Sequence, residues 1–354
     1  DIKIPLIRRI LKAKKIDAIL ISGMKNIRYA TGFTGSSGFA LISETHALFF
    51  TDFRYVEQAS REVKGFEIIK EKGNRNITVK KTAKSLAIKH LGFEQSVSYE
   101  FYRGLTDKNI LLKPLENTIE KLRQIKTSEE LTNIKQEVKR AEAAFLKVKP
   151  EIKAGVTEKR IALRLEEELK KNGCNCLPFD IILASGKNSA MPHARPSEKK
   201  IDKGDFVIID WGGEAGGYFS DMTRTLLING NELAEKIKIY AAVNSARKKA
   251  INSINDGIKA CDIDKAARNE IEKAGFGAYF GHGTGHGIGL EVHEMPSISK
   301  TAKKPIKDGM VFTVEPGIYI PGLGGVRIED MAAVQKGKGI TLTTLSRELE
   351  IISS

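Results

Sequence analysis

The first third of the chain alternates short apolar runs with stretches of helical periodicity. The runs "DAILIS", "GFALI" and "HALFFT" are rich in aliphatic and aromatic residues, and each is followed by glycine or a polar residue. Apolar runs of this length between helical segments are typical of the strands in an α/β domain. We therefore predict an α/β fold for residues 1–115.

Around residues 116–127 the pattern changes to a stretch rich in lysine and glutamate. Thr127 and Glu130 have the spacing of a helix-capping box, in which each side chain bonds the backbone N–H of the other residue. Apolar residues then recur at helical period, at Leu131, Ile134, Val138, Ala141 and Phe145. The change places a domain boundary near residue 124, so we predict two domains, 1–123 and 124–354.

The second part of the chain repeats one order of elements. Twice, a pair of predicted helices precedes a pair of predicted strands; the helices lie near 128–148, 157–172, 231–254 and 262–274. The strand pairs are "GDFVIIDWGGEAGGYFSDMTRTLLI" and "DGMVFTVEPGIYIPGLGGVRIEDMAAV". Two diverged copies of one α-α-β-β unit explain this order, which predicts an α+β domain with an internal duplication.

Each strand pair carries two carboxylates at corresponding places. The first strand ends on Asp210 in one copy and on Glu315 in the other. The returning strand carries Asp221, 11 residues later, or Glu329, 14 residues later. If a pseudo-twofold axis relates the two copies, the four carboxylates surround one centre.

Carboxylates that end such apolar strands need partners, because burying an unpaired charge is costly. For any one of the four, an ion pair or exposure at a strand end is the better explanation. The four together, however, accompany "GHGTGHGIGLEVHE" at 281–294, which holds three of the six histidines, and this combination favours a metal site. Oxygen ligands with one imidazole suit Mn²⁺, Co²⁺, Fe²⁺ or Zn²⁺. Four carboxylates exceed the need of one ion, which predicts two ions that lower the pKa of bound water to about 7.

Composition bears on the class and location of the protein. With 354 residues, 41% of them hydrophobic and 29% charged, the chain is typical of a globular protein of two domains. It has no apolar run of the roughly 18 residues that span a membrane. No signal-peptide pattern follows Asp1, although the start could be trimmed. Three cysteines offer no disulfide framework, and these features together predict a cytoplasmic protein without a membrane partner.

The net charge of +14 is compatible with a nucleic-acid partner. The lysines, however, are interleaved with glutamates in stretches such as "KLRQIKTSEELTNIKQEVKR", which is typical of a solvated surface, so we expect no nucleic-acid partner. Other catalytic motifs do not fit. "HEMPS" lacks the second histidine of a zincin, no serine-hydrolase elbow occurs, and "GFTGSSG" lacks the lysine of a phosphate loop and is predicted to be a turn.

The segments that carry the candidate ligands resemble a known family. "IIDWGGEAGGYFSDMTRT", "GHGTGHGIGLEVHE", "TVEPGIYI" and "GGVRIED" are similar to the pita-bread metallopeptidases (family M24), which include methionine aminopeptidase, aminopeptidase P and prolidase. The resemblance covers about 124–350. "YATGFTGSSGFALI" and "LFFTDFRYVEQA" resemble the creatinase-like accessory domain of the proline-specific members, which methionine aminopeptidases lack. The resemblance thus implies a creatinase-like α/β domain, a pita-bread α+β catalytic domain and Xaa-Pro chemistry.

The same resemblance implies a set of five metal ligands for two divalent ions of manganese, cobalt, zinc or iron. These are Asp210, Asp221, His286, Glu315 and Glu329. Asp210 and Glu329 would bridge the ions. His286 is chosen because the family's ligand lies seven residues before a second histidine, here His293.

Further roles follow from the resemblance. Glu315 would also transfer a proton, while His193, in "AMPHARPS", and His293 would contact substrate and stabilise the oxyanion. His282 would lie near the substrate, or it would serve only packing and orientation; both alternatives stay open. Arg327 would orient or neutralise a nearby carboxylate.

The predicted activity is that of a Xaa-Pro aminopeptidase, which removes the residue before proline from small peptides, in a homodimer as is usual for the family. A prolidase that cleaves dipeptides is the close alternative. A third alternative is a non-catalytic pita-bread binding protein, which is disfavoured because such relatives lose metal ligands and this chain has all five. A more distant alternative is a creatinase-like hydrolase, which would not need the metals.

Ser297 bears on the choice between the two peptidases. Some similar prolidases carry arginine at this position, where a positive charge would bind the free carboxylate of a dipeptide. We therefore expect a preference for peptides longer than two residues, unless another basic residue supplies that charge.

Overall fold

The computed structural model describes residues 3–353, which form two compact units divided between Arg123 and Gln124. Among these residues, no helix combines the length and the apolar character needed to cross a bilayer. The described part of the first unit has one sheet, that of the second has four, and each unit has its own buried apolar core.

The first unit is an α/β domain built on a six-stranded mixed sheet of order β4-β3-β2-β1-β5-β6. Its strands are β1 (Ala18–Ile21), β2 (Phe39–Ser43), β3 (Ala47–Thr51), β4 (Glu67–Lys70), β5 (His90–Glu94) and β6 (Leu111–Leu115). Its helices are α1 (Lys3–Lys14), α2 (Met24–Thr31), α3 (Val56–Glu62), α4 (Arg75–Ser85), α5 (Tyr99–Leu105) and α6 (Thr118–Arg123). The three predicted apolar runs form β1, β2 and β3, which confirms the α/β prediction.

The second unit contains four long helices and thirteen strands. The helices are α7 (Ser128–Val148), α8 (Glu158–Lys171), α9 (Ala234–Ser253) and α10 (Ala260–Lys273). The strands are β7 (Ile182–Ser185), β8 (Phe206–Trp211), β9 (Glu214–Ala215), β10 (Tyr218–Phe219), β11 (Met222–Ile228), β12 (Gly285–Gly287), β13 (Glu294–Ile298), β14 (Val311–Val314), β15 (Gly317–Ile320), β16 (Gly324–Arg327), β17 (Asp330–Gln335), β18 (Lys338–Thr341) and β19 (Ile351–Ile352).

The internal duplication is visible in the order of these elements. In the first copy, α7 and α8 precede the antiparallel strands β7, β8 and β11, with the hairpin β9–β10 inserted between β8 and β11. In the second copy, α9 and α10 precede β12, β14 and β17, with the hairpin β15–β16 inserted between β14 and β17. The α-α-β-β prediction is confirmed, and the structure adds a third strand to each copy.

Local sequence signals explain how the first copy is anchored. The capping box at the start of α7 is present: the Thr127 hydroxyl accepts from the backbone N–H of Glu130 at 3.2 Å, and the Glu130 carboxylate accepts from that of Thr127 at 2.8 Å. At the end of β8, the Trp211 ring stacks on Phe145 of α7, with 4.4 Å between ring centroids. This packing fixes the strand end that carries Asp210.

Candidate metal centre

The four candidate carboxylates meet where strands of the two copies end. Asp210 lies in β8 and Asp221 just before β11, while Glu315 follows β14 and Glu329 precedes β17. Oxygens of Asp210, Asp221 and Glu329 lie within 4.8 Å of one another, and so do ligand atoms of His286, Glu315 and Glu329. Two overlapping groups with Glu329 in common are the arrangement expected for two adjacent ions.

Two of these carboxylate oxygens receive no hydrogen bond from the described residues. Asp210 Oδ1 and Glu329 Oε1 are buried and have no hydrogen-bond partner among the described residues. Burial, followed by the repulsion of neighbouring carboxylates, raises the pKa of Asp221 and of Glu329 well above the usual range. Because an unpaired buried charge is costly, this set of donors fits a divalent cation.

The imidazole of His286 is oriented for the same purpose. Its Nε2 lies 3.5 Å from Asp221 Oδ2 and 3.4 Å from Glu315 Oε1. Its Nδ1 lies 3.1 Å from the carbonyl oxygen of Gly287, to which it can only donate. The proton on Nδ1 leaves a lone pair on Nε2 that faces the carboxylates, as in metal-binding histidines.

His293 lies beside His286, with ring centroids 4.2 Å apart. Ligand atoms of Asp221, His286 and His293 also lie within 4.8 Å of one another. Burial and the neighbouring His286 lower the pKa of His293. This geometry makes His293 a second candidate ligand beside His286.

The glycines between these histidines make room for neighbouring backbone. A Cβ on Gly285 would lie 1.9 Å from the carbonyl oxygen of Thr313, and one on Gly287 would lie 2.1 Å from that of Met295. Because glycine has no Cβ, β12 can lie between β13 and β14, and this position places His286 at the candidate metal centre. The crowding atoms belong to the adjacent strands and not to the carboxylates.

Arg327 joins the carboxylates to two residues that the sequence patterns did not single out. Its guanidinium donates to Asp210 Oδ2 at 2.6 Å, to Tyr319 Oη at 2.8 Å and to Thr223 Oγ1 at 3.1 Å. The Thr223 hydroxyl in turn donates to Glu329 Oε2 at 2.7 Å. Thr223 thus orients two of the candidate site residues at once.

His282 is held entirely by the protein. Its Nδ1 donates to the carbonyl of Gly283 at 2.7 Å, and its Nε2 lies 3.0 Å from Tyr319 Oη. Because Tyr319 Oη accepts from Arg327, its own proton can go to Nε2. Burial lowers the pKa of His282 and raises the pKa of Tyr319 to about 12, which favours a neutral ring beside a protonated hydroxyl. Both ring nitrogens are therefore engaged, which favours the orienting alternative for this histidine.

Helix α10 holds the loop that carries these histidines. Arg268 donates to the carbonyl of His282 at 2.9 Å and forms a buried ion pair with Asp264 at 3.0 Å. Asp264 also accepts from the backbone N–H and the hydroxyl of Thr284. The Thr284 carbonyl accepts from the N–H of Glu315 at 2.7 Å. The loop and one candidate ligand are therefore positioned together.

A cavity of about 940 Å³ opens onto the centre. Its lining includes every predicted site residue, namely His193, Asp210, Asp221, His282, His286, His293, Glu315, Arg327 and Glu329. Apolar side chains such as Phe179 and Tyr279 line it as well. A cavity of this size with a few convergent polar groups is typical of a site for a small molecule or short peptide.

Comparison with known proteins identifies the class. Residues 132–336 match the family described as "Metallopeptidase family M24", and residues 3–125 match the family described as "Creatinase/Prolidase N-terminal domain". The chain belongs to metallopeptidase family M24 and has a creatinase-type N-terminal domain. It is therefore a hydrolase that uses divalent metal to cleave peptide bonds, and the predicted family, fold and enzyme class are confirmed. The alternative of a non-catalytic binding protein is not supported.

Particular relatives cover the chain almost end to end. An uncharacterized peptidase (YqhT) of Bacillus subtilis is 42% identical over 99% of this chain and 100% of its own. A solved structure named Xaa-Pro dipeptidase from Bacillus anthracis is 41% identical, covers 99% of both chains and has a TM-score of 0.95. An X-Pro aminopeptidase structure from Thermotoga maritima is 37% identical, covers 96% of this chain and 98% of its own, and has a TM-score of 0.90.

Proposed function

We propose that the protein hydrolyses the bond between an N-terminal residue and a proline in the second position of small peptides. The observation that carries the proposal is the set of buried carboxylates with unpartnered oxygens beside the Nε2 of His286, at the base of the cavity. The substrate class rests on the two domains of the chain and on the Xaa-Pro names of its relatives.

Two divalent ions of manganese, cobalt, zinc or iron would be held by the five candidate ligands. Glu329 belongs to two of the three groups of ligand atoms and has an unpartnered oxygen, which supports a bridging role for it; the bridging role of Asp210 rests on the family resemblance and on its unpartnered Oδ1. When bound, the ions supply Lewis acidity toward the scissile carbonyl and lower the pKa of water.

The other residues would handle protons and charge. Glu315 would take the proton of the attacking water and pass it to the departing proline nitrogen, which carries no hydrogen of its own. His193 and His293 line the cavity and can donate to the developing oxyanion. Arg327 would hold Asp210 in place, and His282 would act through Tyr319 as an orienting residue.

Substrate length divides two versions of this function. Serine instead of arginine at position 297 favours an aminopeptidase for longer peptides, and a structure named X-Pro aminopeptidase is 37% identical. The name Xaa-Pro dipeptidase occurs on a structure with a TM-score of 0.95 and on a Pyrococcus horikoshii relative that is 38% identical. These names give the prolidase version the more specific support, so dipeptides belong in the substrate range that we propose.

The test is hydrolysis by protein that has been stripped with chelator and then reloaded separately with each of the four metals. Xaa-Pro dipeptides and Xaa-Pro-Yaa tripeptides should be cleaved after the first residue, while the matched Xaa-Ala peptides should be poor substrates. Equal cleavage of the alanine series, or no cleavage of any proline peptide with any metal, would contradict the proposal. Light scattering on the same samples tests the homodimer that the family resemblance implies.

A further inference from the structure

We propose that Arg195 binds the free C-terminal carboxylate of a Xaa-Pro dipeptide and so selects dipeptides over longer substrates. The inference rests on the proposed function and names the residue that supplies the positive charge absent from Ser297.

The cavity lining offers few cations that could bind a carboxylate. Its lining includes two arginines, Arg195 and Arg327, and no lysine. Arg327 is buried, and its guanidinium donates to Asp210, Tyr319 and Thr223. Arg327 is therefore committed to the protein itself. Arg195 is the cation among these lining residues that remains able to meet a substrate.

Arg195 is held only loosely by the protein. Its side chain is 87% exposed, and its ion-pair partner Asp180, 84% exposed, lies 4.0 Å away. An exposed pair at this distance contributes little stability. A substrate carboxylate that meets the planar guanidinium with two parallel hydrogen bonds would compete well with Asp180.

Arg195 also lies in the right part of the cavity. His193 and Arg195 are exposed and line the cavity, while Ala194 between them is buried. Asp180 lies two residues before Ile182, which is paired with Asp210 across β7 and β8. At about 3.3 Å per residue, Asp180 is about 7 Å along the chain from the residue opposite Asp210. Arg195 and Asp180 therefore line the same cavity as the candidate ligands, at its exposed edge.

The chemistry fits a dipeptide in particular. Its carboxylate lies one residue beyond the scissile bond, whereas a tripeptide has a neutral amide there and carries its carboxylate about 3.3 Å further out. At the position one residue beyond the scissile bond, a guanidinium can therefore pair with the charge of the dipeptide, whereas the tripeptide offers it only a neutral amide. Ser297, on β13, can offer only a neutral hydrogen bond.

The decisive experiment compares Arg195→Gln with the unaltered enzyme, both loaded with metal, on a Xaa-Pro dipeptide and on its C-terminal amide. Loss of the charge-assisted bond should raise KM for the dipeptide about ten- to hundred-fold, with kcat nearly unchanged. The amide, which lacks the charge, should respond equally in both proteins. Arg195→Lys keeps the charge without the fork and should fall between the two.

Two further variants should each lower KM for the dipeptide, opposite to the effect of Arg195→Gln. Ser297→Arg in the Arg195→Gln background should restore a low KM for the dipeptide, because it returns a positive charge to the same cavity. Asp180→Asn should lower that KM, because it removes the competing carboxylate. Metal content and melting temperature should not change in the Arg195 and Asp180 variants, because both side chains are exposed.

The outcomes distinguish failure of this inference from failure of the proposed function. An unchanged dipeptide KM in Arg195→Gln, or an unaltered enzyme that cleaves tripeptides but not dipeptides, overturns the role of Arg195 and leaves Xaa-Pro hydrolysis intact. An enzyme that cleaves no proline peptide overturns both.

Discussion

Two consecutive buried carboxylates of the second unit, Glu329 and Asp330, have opposite electrostatic surroundings. Glu329 is 1% exposed and Asp330 is 0% exposed, and they adjoin at the start of β17. Because neighbouring side chains in an extended strand point to opposite faces, the two enter different surroundings. Asp330 meets three guanidiniums, those of Arg224, Arg247 and Arg347. Although burial opposes ionisation, these cations hold the pKa of Asp330 below its usual range.

Glu329 faces the other way and receives no such help. One oxygen accepts from the Thr223 hydroxyl, and the other has no hydrogen-bond partner among the described residues. Burial and the neighbouring carboxylates raise its pKa well above the usual range. The contrast shows that the protein neutralises Asp330 with its own arginines and provides no such cation for Glu329 among the described residues, which agrees with the metal-binding role that we propose for Glu329.

The largest effect should come from removing that cation. We expect chelator to abolish turnover and readdition of a divalent metal to restore it, with secondary structure by circular dichroism retained, because the Asp330 side needs no metal. Elemental analysis should follow the activity. Full turnover by metal-stripped protein would contradict the need for a metal ion on the Glu329 side.

Substitution Glu315→Gln should come next in size. We expect it to remove nearly all turnover while the fold remains intact, because an amide binds metal more weakly and cannot carry the proton. The measurement is kcat at saturating metal and substrate, together with a melting curve. A variant that keeps most of its kcat would exclude Glu315 as the proton carrier.

A matched pair of amide substitutions tests the comparison directly. Asp330→Asn should lower the free energy of unfolding by about 3–5 kcal/mol, because it leaves buried guanidiniums without their partner. Glu329→Gln should leave metal-free protein at least as stable as before and lose bound metal instead. Urea unfolding in chelator and elemental analysis separate the two. Equal destabilisation by both variants would mean that Asp330 and Glu329 do not differ in how the protein itself neutralises them.

The histidines should give smaller losses that refine the metal-binding side. His193→Ala and His293→Ala should each lower kcat by ~10²–10³, the usual cost of one oxyanion donor, and spare metal content. His286→Ala should empty the site. If His293→Ala loses metal and His286→Ala does not, the ligand is the other histidine of the pair.

The smallest effect concerns pH in metal-free protein. Glu329 has a folded pKa raised above its ordinary value of 4.5, so the folded state keeps a proton that the unfolded chain has lost. Stability should therefore fall as pH rises above that ordinary value, toward the raised pKa. Asp330, with a lowered pKa, should instead contribute stability above about pH 3.8 that is lost in acid. Melting curves in chelator should show the decline at rising pH, and Glu329→Gln should flatten it.

The sequence by itself determined what depends on near neighbours. Helical periodicity marked α7 to α10 within a few residues, the capping box at Thr127 was readable from two positions, and the repeated spacing of carboxylates indicated the duplication. The alternation of side chains in a strand could also have marked Thr223, two residues after Asp221. These signals act over one or two turns or a few strand residues, so they remain legible without a fold.

Only the tertiary structure decided which distant groups meet. Thr223 reaches Glu329 across 106 residues, and Tyr319 stands between His282 and Arg327. The short strands β12 and β13 had no apolar run to indicate them; β12 consists of "GHG", whose glycines lie against carbonyl oxygens of the neighbouring strands. A hydrogen bond between remote residues depends on how the sheets come together, and hydrophobic pattern does not encode that placement.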